Sequence, residues 1–132
     1  MSAPQLFKTL SCLTFLTGAC IHTGRVLVGR ERWVHDYFTP AVDIVFGALI
    51  TATAIPGVMS WRRYSGGRGL RFAYAFAMLM LLVSVPLHLK TLFTWSTDYL
   101  IVFPVWYSLA EIPMFLFLAY AMTRLQFDGA KR

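Results

Sequence analysis

Charge is what this chain has least of. Asp, Glu, Lys and Arg make up 14% of its 132 residues, while 58% are hydrophobic. With a mean hydropathy of +0.61, that balance lies outside the range of soluble globular domains and makes the bilayer the expected solvent. Acid is scarcer than base, six residues against twelve, for a net charge of +6. A nucleic-acid binder would gather its bases on one face; here they flank apolar runs, as topology signals do, so nucleic acid is excluded as a partner. Cysteine is nearly absent as well. Cys12 and Cys20 stand eight apart in one apolar run, about 12 Å along a helix axis, too far for a disulfide. No Ser–His–Asp, Cys–His or phosphate-loop arrangement occurs, and the loops are too short for a catalytic module outside the membrane, which argues against a hydrolase or kinase.

What is present is length of apolar sequence. A helix crossing the hydrocarbon needs about 20 mostly apolar residues, and four segments supply them: 6–27, 40–61, 70–93 and 104–125. The first has the outline of a signal peptide, but its apolar character continues through Ile21 to Leu27, which predicts an uncleaved span. Pro40 and Pro104 suit first helical turns, where a missing N–H costs nothing, and Thr39 is a plausible N-cap. The expected fold is therefore all-α, a single four-span membrane domain. Lys8, Arg62, Arg63, Arg68, Arg71, Arg124, Lys131 and Arg132 fall on one side; Arg25, Arg30, Arg32 and Lys90 fall on the other. That bias places both termini and the glycine-rich loop RRYSGGRGLR in the cytoplasm of a cell whose inner or plasma membrane holds the protein, the loop being a flexible basic turn on an anionic leaflet.

The two outer connections resemble each other. HTGRVLVGRERWVHDYFTPAVD, from His22, and HLKTLFTWSTDYLIVFPVWYSLAE, from His88, both run histidine, base, loop, Trp-x-x-Asp-Tyr, proline, acid. This predicts two tandem helical hairpins as parallel repeats about an axis along the membrane normal. It also sets His22, Asp43, His88 and Glu111 in one layer, one per helix. Below them small and weakly polar residues share faces: Ser11, Thr14, Gly18 and His22 on the first span, Ser84 and His88 on the third, Asp43 and Gly47 on the second, Ser108 and Glu111 on the fourth.

Ionised groups in a bilayer cost roughly 2.5 kcal/mol or more each, so four at one level should be paired or functional. Four readings follow. Two His–carboxylate pairs can simply hold helix register. Alternatively, His22 and His88 can serve as axial ligands of a haem, or join Asp43 and Glu111 around a transition metal, although no HxxxH, ExxH or CxxCH motif supports either. The third reading is a pocket for a small amphipathic ligand, met at its polar end by Asp43 or Glu111 and lidded by Trp33, Tyr37, Phe38, Trp95, Tyr99, Trp106 and Tyr107. The fourth is an accessory subunit of a larger membrane complex, or a homo-oligomer. Arg25, one turn past His22, is expected to snorkel to the interface, and His35 and Asp36 to be solvated.

The segment WYSLAEIPMFLFLAYA is similar to a helix of the sterol-isomerase and sigma-2-like four-helix membrane proteins, which share a glutamate, a proline and a related ending. Here Glu111 stands two residues before Pro113 rather than further upstream; the likeness covers under a fifth of the chain and carries over no residue.

The charge bias generates the first prediction. Alkaline phosphatase fused after Arg132 should be inactive and a fluorescent protein fused there should fluoresce; the reverse pattern would invert the topology.

Overall fold

The computed structural model describes residues 3–61 and 64–127. Four helices in it are long and apolar enough to cross a membrane: α1 (Ala3–Val28), α2 (Pro40–Ser60), α3 (Arg68–Thr94) and α4 (Val105–Arg124). Local chemistry sets their ends. Thr39 caps α2, its side chain accepting from the Val42 N–H at 3.5 Å, with Pro40 at the first helical position. Pro104 sits one place earlier than expected, as the N-cap of α4 with extended backbone (ψ 159°). Gly29, at φ 85°, breaks α1 in a region that a side chain would disfavour. Beyond it come one helical turn (Arg30–Arg32) and a π-helical turn (Trp33–Tyr37). Trp95 ends α3 in the left-handed conformation, its N–H returning to the Thr91 carbonyl at 2.8 Å.

The helices form a ring in which α1 packs most extensively along α4 and α2 along α3, with narrower contacts between α1 and α2 and between α3 and α4. The core is apolar and close-set, built on Phe7, Phe15, Ile50, Met78, Leu118 and Met122. Small residues make the crossings. A Cβ on Gly47 would lie 2.6 Å from the His88 Cβ, so the bare backbone of α2 is what admits the histidine. Hydroxyls bridge helices inside the core: Thr14 and Thr53 approach to 2.7 Å, and the Tyr74 hydroxyl donates to the Gly57 carbonyl. Outward faces carry Val45, Met59, Phe72, Val83 and Phe93, each more than half exposed, as faces turned toward lipid would be.

At the end opposite the Trp33–Tyr37 turn, two short strands, β1 (Tyr64–Ser65) and β2 (Gln126–Phe127), pair antiparallel and tie the connection after α2 to the end of α4. Part of the expected flexible basic turn is thus held. Arg62, Arg63, Lys131 and Arg132 of the charge count lie outside the described residues.

Replacing Gly47 with Val should destabilise the bundle by about 1–3 kcal/mol through overpacking against His88, read as a lowered thermal midpoint in detergent. Gly67→Val, where an added Cβ meets nothing within 4 Å, is the control and should change the midpoint little.

Candidate functional site

His22 and His88 each stand six residues before the ends of α1 and α3, and Glu111 six residues into α4. At 1.5 Å per residue they share a level about 9 Å inside the bundle, with Asp43, three residues into α2, slightly nearer the end. His22, His88 and Glu111 line one cavity of about 100 Å³ enclosed by all four helices, room for several waters or a small ligand group. Its walls are mostly apolar, with Phe46 and Ile50 from α2, Leu81 from α3 and Phe115 from α4; Trp33, Val34, Phe38, Leu100 and Phe103 roof it from the two connections.

Asp43 is not in the wall but behind it. Its carboxylate is wholly buried, which is tolerable only if donors surround it. His88 Nδ1 lies 2.5 Å from Oδ1, and Thr91 donates to Oδ2. With the Thr91 proton committed, the Tyr99 hydroxyl donates, shared between Thr91 Oγ1 at 2.6 Å and the Leu87 carbonyl at 2.6 Å, with Asp43 Oδ2 at 3.4 Å. Asp43 thus holds a proton on His88 Nδ1 and fixes the orientation of the ring. The ring meets Phe46 edge-on at 5.5 Å. Tyr99, outside the helices, has its phenol raised above the ordinary range, by burial first and by the Asp43 charge, against the opposing bond from Thr91.

The opposite pair is built differently. His22 Nδ1 lies 2.9 Å from Ser108 Oγ, and that oxygen accepts from Arg25 at 2.7 Å. The serine proton is then free to donate to Nδ1, which puts the His22 proton on Nε2. His22 also stacks on Phe115 at 5.6 Å. The cavity is therefore lined by two histidines that are both bonded to the protein through Nδ1. Tyr107 is edge-on to His22 at 5.7 Å, and Glu111 stands one turn deeper on the same helix.

Several expectations change. The acid expected to match Asp43 is Glu111, yet the group in the corresponding place, bonded to the facing histidine, is Ser108. Arg25 does not snorkel: it is 6% exposed and makes no ion pair among the described residues. Its guanidinium donates to the carbonyls of Leu100 (3.3 Å), Phe103 and Pro104 (3.4 Å) as well as to Ser108, pinning the second connection over the cavity. Only its position one turn past His22 on the same face could have signalled this. Trp106 is 68% exposed and lies outside the cavity, because adjacent residues of a helix point about 100° apart and Tyr107 takes the inward place. Tyr37 and Trp95 are also exposed rather than part of the lid. The two Trp-x-x-Asp-Tyr stretches differ in shape, a π-helical turn in one and a left-handed Trp95 followed by a 3-10 turn (Asp98–Val102) in the other. His35 and Asp36 are exposed, His35 lying 3.7 Å from Asp98 and Asp36 3.4 Å from Arg32.

Among the described residues no three His, Cys, Asp or Glu side chains lie where they could hold one metal ion. The two-histidine, two-carboxylate centre is not formed among the described residues, because Asp43 is bonded behind His88 and Ser108 takes His22. The chain matches no known family model, and no curated protein or solved structure is significantly similar to it.

Asp43→Ala should cost about 1–3 kcal/mol by leaving the His88 and Thr91 donors unpaired, and Tyr99→Phe under about 1 kcal/mol, both read from unfolding in detergent. In an ultraviolet titration Tyr99→Phe should remove one phenol from those that ionise above the ordinary tyrosine range.

Proposed function

We propose that this protein binds a small amphipathic molecule in the cavity, with the apolar body among Phe46, Leu81 and Phe115 and the polar end at His22, His88, Glu111 and Tyr107. The observation that carries this reading is the Asp43–His88 pair: a wholly buried carboxylate spent on orienting one imidazole whose other nitrogen has no protein partner among the described residues. Both histidines line a mostly apolar enclosure with only Nδ1 bonded to the protein among the described residues, which leaves a polar edge of each ring for a ligand. A head group that both donates and accepts, as a hydroxyl does, can bond to either ring.

The same reading takes the bundle as two tandem parallel-repeat hairpins in the inner or plasma membrane of a bacterium, termini in the cytoplasm, which puts the cavity in the outer half. The packing supports it: a two-fold axis along the normal exchanges the α1–α4 contact with the α3–α2 contact, and the His22–Ser108 bond with His88–Asp43. The unlike Trp-x-x-Asp-Tyr turns are then divergence within the copies.

The test is extraction. Protein purified in mild detergent should yield on mass spectrometry a molecule in up to equimolar amount, falling at least tenfold in both His88→Leu and Ser84→Phe, the second of which fills the cavity. Equal recovery from all three would overturn the proposal. A Soret band that shifts on dithionite reduction would replace it with haem binding, and a native mass far above that of the chain, with nothing extracted, would replace it with the accessory-subunit reading.

A further inference from the structure

A second concavity, of about 250 Å³, opens at the opposite end of the bundle between α2, α3 and Leu125, just past α4. Val58, Tyr74, Ala75, Met78 and Leu125 wall it, and the Tyr74 hydroxyl is turned away onto the Gly57 carbonyl. Trp61, at the end of α2, and Arg71, in the first turn of α3, supply the part nearest the helix ends. Arg71, Ala75 and Met78 follow on one face of α3 by steps of four and three, so the trough runs about 10 Å from a guanidinium toward the middle of the helix. The small, exposed Ala75 makes the notch.

Among the described residues no acid pairs with the charge at this end, and Asp128, which follows β2 in the sequence, lies outside them. Arg71 is exposed and makes no ion pair among the described residues, and Arg68 lies one turn away. The described acids, Glu31, Asp36, Asp43, Asp98 and Glu111, all stand at or toward the other end. We propose that the trough seats an acyl chain of an anionic phospholipid whose phosphate pairs with Arg71. A trough with apolar walls and one cation at its outer end matches a chain with a charged head, and Trp61 offers the amphipathic ring suited to the depth of the head group. The site is independent of the cavity and of what the cavity binds.

Native mass spectrometry of the full chain in mild detergent, titrated with phosphatidylglycerol and with phosphatidylcholine of the same acyl chains, tests it. The first phosphatidylglycerol should bind several-fold more tightly than phosphatidylcholine. Arg71→Gln should abolish most of that preference, weakening phosphatidylglycerol about fivefold and leaving phosphatidylcholine unchanged, while Arg71→Lys retains most of it. Ala75→Trp, filling the notch, should remove the first adduct of both lipids, with helical circular dichroism preserved. Equal binding of the two lipids by the native chain, or an Arg71→Gln protein that keeps the preference, would overturn the proposal. So would a native dimer that Ala75→Trp dissociates, since the occupant would then be a second copy.

Discussion

A wholly buried carboxylate organises one end of this protein. Asp43 can stay inside the bundle only if hydrogen-bond donors reach it from several directions, and those it gathers come from a neighbouring helix and from the connection after it. His88 and Thr91 bring α3 against α2, and Tyr99 brings the second connection down onto both. Gly47 makes the approach possible by leaving no side chain where the His88 Cβ must pass. Satisfying one carboxylate therefore fixes a helix pair, a loop and the orientation of a histidine.

The opposite helix pair solves a related problem with a cation. Arg25 is buried with no acid paired to it among the described residues, and neutral oxygens share its charge: three backbone carbonyls of the second connection and the start of α4, together with the Ser108 hydroxyl. The planar fork of the guanidinium suits several acceptors in one region, a task the single point charge of a lysine would not perform as well. Since those carbonyls belong to the roof, the cation holds the roof in place. Thr97, donating to the Phe38 carbonyl at 3.0 Å, joins the two connections to each other. These contacts hold the connections over the cavity, while its own surface stays mostly apolar.

Much of this arrangement is legible in the order of residues. The four spans match the four helices to within three residues at either end, because hydropathy over some twenty residues is a property of composition and needs no partner. The Thr39 cap follows equally from local chemistry. His22, His88 and Glu111 could be set at one depth by counting from helix ends, and the structure brings them to one cavity. Counting does not give rotation. Trp106 and Tyr107 are neighbours of similar character, and only the phase of α4 against α1 turns one inward and the other out. Nor does it give partners: Ser108, an unremarkable residue in an apolar run, receives both His22 and Arg25.

The sequence by itself determined that the chain is helical, how many lengths could cross a membrane, where they begin, and which end of the bundle holds nearly all of its described acid. These depend on neighbours within a turn or two and on averages over a span. The tertiary structure decided which histidine meets a carboxylate and which a serine, that Arg25 turns inward to the carbonyls, and that Asp43 stands behind the cavity wall. Those outcomes rest on how four helices rotate about their own axes when packed, and that rotation is settled by contacts between residues as far apart as His22 and Ser108, which no local pattern encodes.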